Sequence, residues 1–234
     1  MKNTIQDKSK LVNSVFTKVY KKYDLMNDIM SLGVHRIWKN KFLDWMNPQI
    51  NNTLIDVGSG TGDIAKLFSK KINNLSEISC VEPNEEMFLA GKVNLKNYIN
   101  IKWYKSSAER LPFAPNKFDY YTISFGIRNV SNINKTLQEA YRVLKPGGRF
   151  MCLEFSKVNN EIINLFYQKY SKVIPFVGKY IVGSSKPYEY LIKSIEDFYS
   201  QKELSKLIGK NGFSNVEYRN LSGGISAIHS GWKI

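Results

Sequence analysis

Residues Leu54-Ile55-Asp56-Val57-Gly58-Ser59-Gly60-Thr61-Gly62-Asp63 join an apolar run to three glycines at alternate positions, with a carboxylate on either side. Glycine serves where backbone turns sharply or where a ligand must approach without a Cβ in the way. The Gly-x-Gly-x-Gly spacing is neither the Gly-x-Gly-x-x-Gly of nicotinamide and flavin sites nor the Gly-x-x-x-x-Gly-Lys of phosphate loops. Asp56 and Asp63 edge the loop with negative charge, which repels phosphates and suits a cationic ligand bearing an amino group. S-adenosylmethionine, a sulfonium that carries an α-amino acid, has that chemistry. Asp56, Gly58 and Gly60 are therefore expected to wall a cofactor site.

Further candidates lie at the ends of later apolar segments. Glu82 falls about 20 residues after the last loop glycine, where an acidic side chain accepts hydrogen bonds from ribose hydroxyls in α/β sheets. A solvated Glu at a strand end is the plain alternative. In Ser106-Ser107-Ala108-Glu109-Arg110-Leu111-Pro112-Phe113, the small Ala108 would let an adenine ring lie flat against the backbone. An ordinary turn around Pro112 explains that segment equally well. Arg128 follows the fourth apolar segment and could stabilise a phenolate or orient a water, although a salt bridge to Glu154 or Glu109 would also account for it. A neutral Arg is not credible as a direct base.

These residues need a scaffold, and the hydrophobic pattern predicts one. Helical spacing runs over 9–32 and 37–46. Beyond Asn51, short apolar runs at 53–57, 78–82, 100–104, 119–125 and 149–155 read as strands. Helices are expected between them at 62–71, 84–92 and 131–144. A long helical section follows, over 160–174 and 188–210. Two strand-like segments, 213–219 and 224–232, close the chain around a turn at Ser222-Gly223. Alternating strands and helices predict an α/β fold with a doubly wound, mainly parallel sheet. The antiparallel hairpin at the end points to the Rossmann-like class I methyltransferase variant, with seven strands. Residues 1–50 read as an N-terminal helical extension capping the substrate site. Residues 51–234 read as the methyltransferase domain, with a helical insertion at about 157–200.

Composition narrows the classes. The chain has 234 residues, of which 43% are apolar, enough for a core and against global disorder. Cys80 and Cys152 are the only cysteines, so neither a disulfide framework nor a multi-Cys zinc module is expected. Two unclustered histidines, His35 and His229, add no metal-ligand spacing, so no metal is expected. No secretory signal is evident, and no apolar run approaches about 18 residues. A cytoplasmic protein is expected. The net charge of +14 invites an anionic partner, yet of 34 basic residues only six are Arg, the residue that forks onto guanine or phosphate. Lysine enrichment from an AT-rich coding sequence explains the charge as well as a selected partner does.

The motifs together resemble one family, the ubiquinone/menaquinone biosynthesis C-methyltransferases, over nearly the whole chain. The residues that carry it include Tyr23-Asp24-Leu25-Met26-Asn27-Asp28, Gly33-Val34-His35-Arg36-Ile37-Trp38-Lys39 and Gly60-Thr61-Gly62-Asp63. Ala108-Glu109 with Leu111-Pro112-Phe113, Phe125-Gly126-Ile127-Arg128-Asn129-Val130, Arg142-Val143-Leu144-Lys145-Pro146-Gly147-Gly148, Leu153-Glu154-Phe155-Ser156 and Ala227-Ile228-His229 continue it. The resemblance implies methyl transfer from S-adenosylmethionine to a ring carbon of a polyprenylated quinol, either demethylmenaquinol or 2-polyprenyl-6-methoxy-1,4-benzoquinol, or both. It implies cofactor contacts at Thr61, Glu82, Ser107, Ala108 and Ser124. Two of these depart from the family: the acidic position is commonly Asp and is Glu82 here, and the position before Ala108 is commonly Asn and is Ser107 here. The Ser-Tyr-x-Tyr-Leu segment of the family reads Pro187-Tyr188-Glu189-Tyr190-Leu191 in this chain.

Arg128, with Asn129 and Tyr23, is the expected catalytic group over the quinol oxygen; Tyr20 and Tyr23 could equally pack an N-terminal helix. His35 and His229 fit structural roles better than chemical ones. The tail of such a substrate resides in the bilayer, and residues 162–183, with Lys169, Lys172 and Lys179 among apolar side chains, would meet an anionic membrane or pack as a core helix and lid. Peripheral association with the cytoplasmic face of the inner membrane, a quinone-biosynthesis complex and a homodimer are all compatible with the sequence. Nucleic acid is not an expected partner: an Asn/Asp-Pro-Pro-aromatic loop is missing, and both cysteines fall inside strands, where a buried thiol is inert.

Overall fold

The computed structural model describes residues 33–158 and 186–234, together with Thr17, Asp28 and Ser31. The segments expected as helices at 9–32 and 160–174 lie almost wholly outside the described residues, as do Tyr20, Tyr23 and the Lys169, Lys172 and Lys179 surface. In chain order the elements are α1 (His35–Met46), β1 (Leu54–Val57), α2 (Asp63–Lys71), β2 (Ile78–Val81), α3 (Glu85–Asn94), β3 (Ile101–Tyr104) and β4 (Phe118–Ser124). There follow α4 (Ile133–Val143), β5 (Leu144–Phe155), α5 (Lys186–Glu196), α6 (Gln201–Lys210), β6 (Ser214–Leu221) and β7 (Ser226–Trp232).

The strands form one seven-stranded sheet in the order β3-β2-β1-β4-β5-β7-β6. β1 through β5 pair in parallel, and β7 runs antiparallel to both β5 and β6. The expected doubly wound sheet with a closing hairpin is thus what forms. Every residue of β1 and β2 is buried, because helices cover both faces. One face carries a core built from Trp38, Phe42, Phe68, Phe155 and Tyr188; the other is built from Val143, Leu137, Phe150, Leu204 and Phe213. α1 belongs to the first of these. Its Trp38 ring meets Phe155 edge-on and donates from Nε1 to Ser222 Oγ at 3.0 Å.

The helix starts follow local chemistry. Asn84 and Asn132 cap α3 and α4 by accepting from Met87 N and Lys135 N. The helical stretch expected over 188–210 is in fact two helices. Ser200 and Glu203 form a reciprocal capping box that starts α6 afresh after α5 ends at Glu196. The final turn at Ser222-Gly223 is a short 3₁₀ segment in which Ser222, Gly223 and Gly224 all have positive φ.

Candidate active site

At the carboxyl end of β1 the chain turns through Gly58 and Gly60, with φ of 63° and 57°, a backbone region that side chains rarely tolerate. Gly58 N and Ser59 N both donate to Val81 O, at 2.8 and 3.1 Å, and strap the loop to β2. Glu82 completes the strap. Its Oε2 accepts from Gly60 N and its Oε1 from Asn84 N, each at 2.9 Å. The extra methylene of Glu thus lets the carboxylate reach back to the loop it supports. Burial pushes its pKa up to about 7, against the two backbone donors.

Asp56 is the buried carboxylate behind the loop. Its Oδ1 accepts from Thr122 Oγ at 2.8 Å, whereas its Oδ2 is buried with no partner among the described residues. Burial raises its pKa to about 7, with the Thr122 hydrogen bond and Lys39 opposing. Ser124 Oγ, at the end of β4, is a second buried oxygen without a partner. Both residues line a cleft together with Lys39, Gly58, Gly60, Thr61 and Asp63. A native interior seldom leaves such atoms unsatisfied, so they mark where a polar ligand group belongs. An ammonium against Asp56 Oδ2 satisfies the first, and the residues present therefore fit the amino-acid end of S-adenosylmethionine.

Of the residues expected to hold a cofactor, the structure brings Asp56, Gly58, Gly60, Thr61 and Ser124 into this one cleft. Glu82 stands behind it. Ser107 and Ala108 lie on the neighbouring loop and do not line it. That loop is held firmly: Arg142 donates to Phe113 O at 2.6 Å and to Leu111 O at 3.1 Å. Glu139 accepts from Leu111 N, and Glu109 Oε1 accepts from Ser131 N and Asn132 N. Arg142 of the Arg-Val-Leu-Lys-Pro-Gly-Gly stretch thereby serves the loop at 108–113 from α4, which packs in the same core.

Beyond Ser124, Phe125 turns the chain with φ of 54°, unusual for an aromatic residue and found where surrounding contacts enforce it. Here those contacts come from Arg128 and Asn129. Arg128 Nη1 donates to Phe125 O at 3.1 Å and also pairs with Glu154, and Asn129 Nδ2 reaches the same carbonyl at 3.4 Å. The Arg128–Glu154 pair is almost wholly buried, at 3% and 2% side-chain exposure. Of the two acidic partners named for Arg128, it is Glu154 that it meets. Burial raises the Glu154 pKa, with Arg128 the main influence holding it down. From α5, Tyr190 Oη donates to Asn129 Oδ1 at 3.0 Å, and Ser194 Oγ accepts from Arg128 Nε at 3.4 Å.

The remaining titratable candidates fill the interior. His35 is buried against Ser31 Oγ and Asp28, and desolvation lowers its pKa to about 4. His229 faces Gln201 O from β7 and is likewise pushed down to about 4 by burial. Cys80 and Cys152 lie in β2 and β5, fully buried, with their thiol pKa values raised by desolvation. Among the described residues no cluster of three His, Cys, Asp or Glu could hold a metal ion. Among the same residues no helix is long and apolar enough to cross a membrane.

Three residues of this region went unassigned in the sequence. Lys39 sat in view within His-Arg-x-Trp-Lys, but nothing there connects it to the glycine loop. Thr122 is one of several polar residues in a strand. Tyr190 meets Asn129 only because α5 folds over the end of β4.

Residues 3–233 match the ubiE/COQ5 methyltransferase family. The chain belongs to that family. It is 51% identical over 236 residues to the ubiquinone/menaquinone biosynthesis C-methyltransferase UbiE of Rickettsia bellii strain OSU 85-389, covering 97% of this chain and 94% of that one. It is 52% identical over 235 residues to the UbiE of Rickettsia akari, with the same coverage of both. Among solved structures, a SAM-dependent methyltransferase from Thermotoga maritima shares the fold, with a TM-score of 0.68 at 20% identity over 95% of this chain and 100% of that one. Family and fold make this chain a methyltransferase that uses S-adenosylmethionine.

Proposed function

We propose that this chain transfers a methyl group from S-adenosylmethionine to a ring carbon of a polyprenylated quinol, in menaquinone or ubiquinone biosynthesis. The observation that carries the quinol assignment is the similarity, over 97% of the chain, to relatives named UbiE. When bound, S-adenosylmethionine supplies an electrophilic methyl carbon on a cationic sulfur. The residues present divide the remaining work. Asp56 and Ser124 hold the amino-acid end, and Glu82, through Gly60, keeps the loop in the shape that admits it. Ribose contact at Glu82 and adenine contact beside Ser107 and Ala108 belong to the same reading.

The quinol ring must lose a phenolic proton for its carbon to attack, so a cation near the phenolate oxygen lowers the barrier. Arg128 takes that role, either directly or by orienting a water that accepts the proton. Glu154, Phe125 O and Ser194 fix the plane of its guanidinium, and Asn129 braces the same turn; Tyr23, outside the described residues, is the remaining candidate from the sequence for the quinol headgroup. Transfer of the methyl to the ring carbon would release the neutral thioether S-adenosylhomocysteine, and the proton displaced from that carbon would pass to water, restoring the aromatic ring. Holding carbon and methyl in line contributes by proximity, in favourable systems about 7–11 kcal/mol. Access to the prenyl tail calls for contact with the cytoplasmic membrane face; liposome flotation with Lys169, Lys172 and Lys179 changed to Glu tests the expected surface, and unchanged binding would remove it.

The functional test is complementation of a bacterial strain lacking quinone C-methylation, followed by mass spectrometry of its quinones. Restored menaquinone or ubiquinone is expected. Accumulation of the demethylated precursors alone, with soluble and cofactor-binding protein present, would contradict the assignment.

A further inference from the structure

The glycine-loop cleft contains more negative than positive groups, yet the amino-acid end of its ligand is a zwitterion. Asp56 Oδ2 accounts for the ammonium, and the carboxylate needs a donor. The loop's own amides are largely spent. Gly58 N and Ser59 N go to Val81 O, Gly60 N to Glu82 and Gly62 N to Ser59 O. Helix α1 supplies a donor instead. Lys39 reaches the cleft with its side chain only 9% exposed, and its Nζ lies 2.5 Å from Asp63 Oδ2. Asp63 itself is 45% exposed at the first turn of α2. A buried ammonium has to be paired, and one carboxylate occupies only one of its three N–H donors.

We propose that Lys39 is the residue that binds the α-carboxylate of the methyl donor, held at the mouth of the cleft by Asp63. The amino-acid end is then recognised from two directions: Asp56 from the sheet takes the ammonium, and Lys39 from α1 takes the carboxylate. Asp63 acts as a positioning residue. It aims the Lys39 head at the loop. α1 is packed into the core through Trp38, Phe42 and Met46, so the ammonium is delivered on a rigid element. The inference rests on the methyltransferase reading above and adds to it a specificity for amino-acid ligands over decarboxylated ones.

The test compares two ligands by calorimetry: S-adenosylhomocysteine, and 5′-deoxy-5′-(3-aminopropyl)thioadenosine, which differs only in lacking the carboxylate. The unmodified chain should prefer the first by about 10- to 100-fold, the range for a charge-assisted contact. Lys39→Met keeps the buried stem, and it should weaken S-adenosylhomocysteine by a similar factor while moving the decarboxylated ligand less than about threefold. Lys39→Arg should recover part of the loss. The Lys39→Met/Asp63→Asn double variant, which leaves no carboxylate stranded, should show the same loss of discrimination and serves if the single variant folds poorly. Equal weakening of both ligands, or an unmodified chain that does not discriminate, overturns the assignment of Lys39 and leaves the methyltransferase reading standing. Failure of the unmodified chain to bind either ligand overturns both.

Discussion

Replacing Asp56 by Asn should trade cofactor affinity for stability, and the pH dependence of each follows from its surroundings. Asp56 is fully buried, and its pKa stands at about 7 against an ordinary 3.8. A raised carboxyl pKa means that its contribution to stability is intact below pH 3.8 and is lost as pH rises toward 7. By pH 8 the ligand-free protein carries a penalty on the order of 4 kcal/mol for holding that charge, at about 1.4 kcal/mol per pKa unit. Asn keeps an acceptor for Thr122 Oγ and carries no charge, so Asp56→Asn should unfold at higher denaturant at pH 8, with a smaller gain at pH 6. Ligand binding runs the other way. The ionised form meets the cofactor ammonium, a contact worth about 1.5–3 kcal/mol, so S-adenosylhomocysteine should bind the variant about 10- to 150-fold more weakly at pH 8. At pH 6 only about one Asp56 in ten is ionised, and the ratio between the two proteins should shrink about tenfold. Glu82 titrates in the same range and adds its own slope to both proteins, so the difference between them isolates Asp56. Calorimetric titration at pH 6, 7 and 8 measures it. A ratio that does not change with pH, or a variant that binds as tightly at pH 8, would refute the reasoning.

Further substitutions probe the scaffold. A Cβ at Gly91 would clash with the Trp103 ring, so Gly91→Ala should destabilise by about 1–3 kcal/mol despite alanine's helix propensity, and a higher denaturation midpoint would contradict it. Glu154→Gln strands the buried Arg128 guanidinium and should cost about 3–5 kcal/mol in urea unfolding, whereas Arg128→Met with Glu154→Gln should cost less than the sum of the single changes. Ser200→Ala removes the cap of α6 and should cost about 1 kcal/mol by the same assay, with ligand affinity unchanged because Ser200 lies outside the glycine-loop cleft.

Much of the architecture was legible because it is written in local patterns. Short apolar runs broken by helical spacing disclosed the parallel sheet, and turn residues around Ser222 disclosed the closing hairpin. The glycine loop announced itself by spacing, and its flanking carboxylates by charge. The division of 188–210 into two helices was also written there, as Ser200 and Glu203 three residues apart, but the amphipathic period runs through the break and hides it. What no local pattern carries are contacts across the sheet. Thr122 on Asp56, Glu154 on Arg128 and Tyr190 on Asn129 join residues 66, 26 and 61 positions apart, and only the crossovers bring them together. Lys39 is the sharpest instance: a lysine in a helix reads as solvated until α1 is seen to lay it across the loop.

The central claim, methyl transfer to quinol carbon, is tested most directly with the purified protein, S-adenosylmethionine labelled in its methyl group, and a short-chain demethylmenaquinol or 2-polyprenyl-6-methoxy-1,4-benzoquinol kept reduced. Mass spectrometry should find the label on a ring carbon of the quinol, with one equivalent of S-adenosylhomocysteine formed per methyl transferred. Label on a quinol oxygen, or no transfer to either quinol by protein that binds S-adenosylhomocysteine, would contradict it.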